Sequence, residues 1–180
     1  MTIGSSQEIL CPHDHTLGIF PSRKKELEFA ASFLKDGLKK NEITMLISDY
    51  LKKDDIRKIL QEKWYCDVCE LEANEIFLLE STTEWYFGQG HPNAEKIWSK
   101  WKDIMRHTKR LKAKGLRVFA DMSTFFECGY NDNAIYYEST LPPSFGIPLN
   151  AICAYTYKNM DTLTPHQFHI LKDHHNKILM

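Results

Sequence analysis

Apolar residues along this chain alternate between two spacings. Short, nearly continuous apolar runs read as β-strands near residues 16–20, 43–48, 75–80, 116–120 and 151–156. Longer stretches between them carry apolar residues at helical intervals. Leu27, Ala30, Ala31, Leu34 and Leu38 mark a helix over residues 23–40, with Ser22 placed as its cap and Asn41 at its end. Ile56, Ile59 and Leu60 mark another over residues 52–64. A long helix opens near Pro92. Ile97, Trp98, Trp101, Ile104, Met105, Thr108 and Leu111 form its stripe, and Gly115 is placed as its stop. Further helices are expected within residues 131–140, ended by Pro142-Pro143, and after Thr164-Pro165, where threonine caps and proline fills the first turn. Residues 1–12 read as a loose lead-in, 66–74 as a connection with some extended character, and 81–90 as an aromatic-rich loop.

This alternation predicts the α/β class: a three-layer α/β/α sandwich with one mainly parallel sheet, in one domain spanning residues 1–180. Ligands of such sheets gather at the carboxyl ends of the strands. Those ends carry Phe20-Pro21, Ser48-Asp49, the segment from Glu80 to Tyr86, Asp121-Met122 and the segment from Tyr155 to Tyr157.

Composition narrows the function classes. Hydrophobic residues make up 43% of the chain, charged residues 26%, and the net charge is −1. That balance argues against a dedicated nucleic-acid binder, and the basic clusters Arg23-Lys24-Lys25 and 106–114 read as solvated helix faces. No apolar run is long enough to cross a bilayer, and no secretory signal is visible. Five cysteines do not make a disulfide framework, so a reducing cytoplasm is the expected location.

The strand-loop-helix-strand arrangement of residues 13–49 has the layout of a phosphate-binding unit, but its loop, PSRKKE, has no glycine to curl around a phosphate. Residues 21–25 should be open or already helical, and no triphosphate binding is expected.

Several constellations could carry chemistry. Trp85, Tyr86 and Phe87 are adjacent, so at least one should line a pocket or interface. Asp121 closes an apolar strand where an ATPase would hold magnesium; without a phosphate loop it is expected to orient a ligand or cap a turn. His166, His169 and Asp173 share a helical face that could hold a metal with His13 and His15, or be a solvated face. Cys66 and Cys69 have metal-ligand spacing but no second pair, although Cys11 and His13 could complete four ligands; they read as ordinary thiols. His174 and His175 read as tail residues.

An ordered set of short pieces resembles the MEDS sensory domain of regulators from methanogens and methylotrophs. The pieces are His15 with residues 17–20 and Ser22, FLKDGLKKNE, TEWYFGQG before a tryptophan-bearing helix, GLRVFADMS, YYESTL, AICAYTY, and HQF in the last helix. They span about residues 13–172, and His15 and His166 match the family's two histidines. The resemblance implies a degenerate RecA/KaiC-like fold with an eroded phosphate loop, and sensing of small organic molecules such as hydrocarbon derivatives. The family is often fused to output modules, for which this length leaves no room, so a signalling partner in trans is expected.

Together these readings predict a non-catalytic sensor or adaptor. His15, Trp85, Tyr86, Asp121, Tyr155 and His166 should converge on one concavity at the carboxyl end of the sheet and bind a small, partly apolar organic ligand, with no cofactor. A second copy of the chain is a further candidate partner. The alternatives are a protein–protein module using the same surface or the tryptophan helix, a residual nucleotide binder, and a metal-dependent enzyme built on the histidines.

Overall fold

The computed structural model describes residues 13–88 and 90–180. The lead-in with Cys11, and Gln89 of the aromatic loop, lie outside the described residues. In chain order the elements are β1 (His15–Phe20), α1 (Arg23–Lys39), β2 (Ile43–Ile47), α2 (Lys53–Trp64), α3 (Val68–Ala73) and β3 (Phe77–Glu80). A π-helical turn (Thr83–Phe87), α4 (Ala94–Arg110), β4 (Leu116–Asp121), α5 (Ser123–Glu127) and α6 (Asn131–Ser139) follow. β5 (Leu149–Thr156), α7 (Tyr157–Asp161), α8 (Pro165–Asp173) and β6 (Lys177–Leu179) complete the order.

The strands form one sheet in the order β3-β2-β4-β5-β1-β6, and every neighbouring pair is parallel. α1 joins β1 to β2, yet β4 and β5 lie between these two strands. Alternation along each strand splits the core in two. Leu17, Ile19, Val118, Ala151 and Tyr155 face the layer that holds the π turn, α4, α6 and α8. Phe20, Phe119, Ile152 and Ala154 face α1, α2 and α3. The result is a three-layer α/β/α sandwich. Because helices cover both faces, the central strands need apolar residues at nearly every position, which is why they are continuous runs in the sequence.

Local chemistry fixes the helix ends. The Ser22 side chain accepts from the Lys25 amide and starts α1. Asn41, just past its end, has φ 60°, a left-handed conformation that asparagine tolerates. Thr164 and Gln167 form a reciprocal capping box at α8, with Pro165 at the first turn.

Four expectations need correction. Residues 66–74 are not extended: α3 forms there because the Asp67 side chain accepts from the Cys69 and Glu70 amides. The aromatic stretch after β3 is a wide π-helical turn rather than an irregular loop. α4 ends at Arg110, before Gly115, and Lys112 takes the left-handed conformation at φ 54°. Gly115 serves another purpose: a Cβ there would lie 2.7 Å from the Pro148 carbonyl oxygen. Finally, the chain does not trail off after α8. His174 donates through Nδ1 to the Leu141 carbonyl at 2.8 Å, His175 is buried, and β6 pairs with β1. No helix among the described residues is long and apolar enough to cross a membrane.

Candidate functional site

A cavity of about 460 Å³ lies between α4 and the sheet. Val118 and Ala120 of β4, Ala151 and Cys153 of β5, and His15 of β1 form its floor. The floor is low because Ala120, Ala151 and Cys153 are small where a packed core would hold larger side chains. Trp98, Trp101 and Met105 of α4, Tyr86 of the π turn, and Phe145 and Ile147 wall it. Trp101 is held from two sides: its indole N–H donates to the Tyr137 hydroxyl at 2.8 Å, and its ring meets Trp85 edge-on at 5.1 Å. Lys102, Arg106 and Lys109 also border the cavity and are exposed, so it reaches solvent along one side of α4 under a positive rim.

His15 and Cys153 belong to a buried polar cluster as well, together with Glu138 of α6 and His175. Glu138 Oε1 accepts from the Tyr155 hydroxyl at 2.8 Å. Its Oε2 lies 3.5 Å from His15 Nε2 and 3.6 Å from His175 Nε2. Cys153 Sγ is 3.5 Å from His15 Nε2, and the two imidazole rings lie with centroids 3.9 Å apart, tilted by 32°. Burial works to raise the Glu138 pKa, but His15, His175 and Tyr155 outweigh it and hold the carboxyl at about 2. Burial lowers His175 to about 4, against the pull of Glu138, so its ring is neutral at neutral pH. Burial pushes the Cys153 thiol well above its ordinary range.

The carboxyl edge of the sheet is built differently. Arg23 reaches Asp121 Oδ2 at 2.6 Å and Glu127 at 2.8 Å, and Ser48 donates to the same Asp121 oxygen at 3.0 Å. Asp121 Oδ1 accepts from the Ser123 amide at 3.0 Å. Glu26, one turn into α1, is buried beside this network without a hydrogen-bond partner among the described residues. Burial and the negative Asp121 raise it to about 8, partly offset by Arg23. Next to it is a polar crevice of about 340 Å³ lined by Ser22, Ser123, Thr156, Lys158 and Asn159. α1 begins at Arg23, so only Pro21 and Ser22 separate it from β1, too short a link to wrap an anion.

The structure brings two of the six sequence-chosen residues, His15 and Tyr86, to the cavity under α4. Tyr155 is wholly buried outside the lining and donates to Glu138, which stands beside His15. Trp85 stands behind Trp101 and borders separate depressions beside Lys100. Asp121 is engaged at the carboxyl edge, and His166 is exposed at the start of α8. His169 and Asp173 pair on the exposed face of α8 at 3.3 Å, and Cys66 and Cys69 are exposed free thiols. Sequence reasoning did not select Glu138, Cys153 or His175. One signal was present: Glu138 stands four residues after Ala134 on the buried face of α6, where an unpaired carboxylate would be costly.

A family model matches this geometry's chain over residues 14–174: MEDS, the MEthanogen/methylotroph, DcmR Sensory domain. No curated protein matches the sequence.

Proposed function

The chain belongs to the MEDS family of sensory domains, and from that premise we propose that it senses a small, largely apolar organic molecule held in the cavity under α4. The observation that carries this reading is the cavity itself: about 460 Å³, aromatic and aliphatic walls, and a few polar groups at one end. That is the usual make-up of a small-molecule site. Trp98, Trp101, Met105 and Tyr86 supply contact area, and His15 and Cys153 form the polar end of the lining. Trp85 acts by buttressing Trp101, and Tyr155 by holding Glu138 against His15. Asp121 and His166 lie outside the cavity lining and serve the fold or a partner surface in this reading. α4 forms the roof, so a bound ligand is reported by the placement of α4 to a signalling protein that docks in trans.

A thermal-shift panel tests it. Small halocarbons, alcohols and aromatics of cavity size should raise the melting temperature, because a ligand that binds only the native state stabilises it. ATP should leave it unchanged. Stabilisation by ATP with no response to any apolar compound would reverse the reading.

A further inference from the structure

We propose that His15, Glu138, Cys153 and His175 bind one divalent transition-metal ion of the zinc type at the inner border of the cavity. The four side chains come from β1, α6, β5 and the segment after α8, all are buried, and their ligand atoms lie within 4.8 Å of one another. The hydrogen bonds around them turn lone pairs inward. His15 Nδ1 sits 3.1 Å from the Pro142 carbonyl oxygen and His175 Nδ1 2.6 Å from that of Leu171. A carbonyl can only accept, so each Nδ1 donates and the lone pair of a neutral ring is left on Nε2. Tyr155 occupies Glu138 Oε1, which leaves Oε2 facing both Nε2 atoms. Glu138 Oε2 and His175 Nε2 are buried and have no hydrogen-bond partner among the described residues. Acceptors facing acceptors in the interior call for a cation between them.

The spacing fits the same occupant. Direct hydrogen bonds would draw these atoms to roughly 2.7–3.2 Å. The two nitrogen–oxygen contacts are instead 3.5 Å from His15 Nε2 to Glu138 Oε2 and 3.6 Å from His175 Nε2 to Glu138 Oε2, while Cys153 Sγ lies 3.5 Å from His15 Nε2. Metal–ligand bonds of about 2.0–2.3 Å in a tetrahedron give ligand–ligand edges of roughly 3.3–3.8 Å. Two imidazoles, one carboxylate and one thiolate suit zinc and its neighbours and are wrong for magnesium or calcium, which take oxygen ligands. Binding needs no redox step. The Cys153 thiol releases its proton to solvent and its sulfur lone pair goes to the metal. The backbone carbonyls behind both histidines and the Tyr155 hydroxyl behind Glu138 hold the ligands in aim. His15 and Cys153 also line the cavity, so the ion would stand beside whatever fills it.

The test uses the full chain, stripped with a chelator and titrated with Co²⁺ in the absence of any organic compound. The expected result is one Co²⁺ per chain, displaceable by Zn²⁺, with the intense visible bands of a tetrahedral site and a sulfur-to-cobalt charge-transfer band. Cys153→Ser should remove the charge-transfer band. Tyr155→Phe should keep that band but weaken binding by about 10- to 100-fold. Changing Cys66 and Cys69 together to Ser should alter nothing. Should Cys153→Ser fail to fold by circular dichroism, His175→Gln serves in its place and should abolish binding at one equivalent. The proposal is overturned if the folded chain takes up no Co²⁺, or if the charge-transfer band survives Cys153→Ser or is lost with Cys66 and Cys69. Since no organic ligand is present, failure here leaves the cavity reading standing, and failure of the cavity screen leaves the metal site standing.

Discussion

The crevice at the carboxyl edge and the cavity under α4 are similar in size, about 340 and 460 Å³, and opposite in character. At the edge, polar groups answer one another: Arg23 takes Asp121 and Glu127, Ser48 takes Asp121, and Thr156 takes Asn159. Under α4, aromatic walls stand over small floor residues, and the polar groups at one end face inward. The parallel-sheet rule points to the first region. The chemistry points to the second, because a network whose members pair with one another, Glu26 apart, has little left to offer a ligand, whereas apolar surface facing a void gains from being covered.

The contrast can be broken most sharply by removing one acid from each region. Glu138→Ala should lower unfolding stability by about 3–5 kcal/mol, the cost of breaking a buried polar cluster on one side. Glu127→Ala, at the exposed end of the Arg23 network, should cost no more than about 1 kcal/mol. Urea denaturation followed by tryptophan fluorescence measures both. Equal losses would mean that the two networks are equally buried in energetic terms.

Filling the floor comes next. Ala151→Leu should leave the fold intact and weaken any apolar ligand by about 3 kcal/mol, roughly a hundredfold, since the new methylenes take the ligand's place. Lys158→Ala at the crevice should change that affinity by less than about twofold, being remote from the cavity lining. Calorimetric titration with the best compound of the thermal-shift panel reads both.

The pH response sharpens the comparison from the other side. The Glu26 pKa rises from 4.5 to about 8 on folding, so the folded chain holds a proton that the unfolded chain has lost across that window. Its stabilising protonation is complete below about 4.5 and is lost as the pH climbs through about 8. Glu26→Gln should therefore flatten the decline and add on the order of 2 kcal/mol at pH 8.5 relative to the parent chain. A variant whose stability still falls over that range would assign the decline to another group. Trp101→Phe, which drops the bond to Tyr137, should cost about 1 kcal/mol of stability and a few-fold in ligand affinity.

Most of the scaffold and part of the candidate site were legible in the sequence, for identifiable reasons. β1, β2, β4 and β5 are buried on both faces and show as apolar runs; α4 shows through the Ile97–Trp101–Met105 stripe. α3, α7 and β6 are too short for periodicity, and α3 depends on one Asp67 cap. Of the residues lining the proposed cavity, His15 and Tyr86 stood out by type and place. The partners of His15 did not, because residues 15, 138, 153 and 175 meet only after β5 pairs with β1 and the segment after α8 folds back onto it. The strand-end rule drew Asp121 into the expected site, but Arg23 and Ser48 had already engaged it, and neither pairing is visible in local sequence. His166 stood out by resemblance and sits on an exposed turn.

The most direct test of the central claim is to locate an apolar probe by its heavy atom. A crystal of the chain soaked in iodobenzene and measured at a wavelength with strong iodine anomalous scattering should show one main peak between Trp101, Tyr86 and Ala151. A main peak in the crevice beside Ser22 and Thr156, or no ordered iodine beneath α4, would contradict the account.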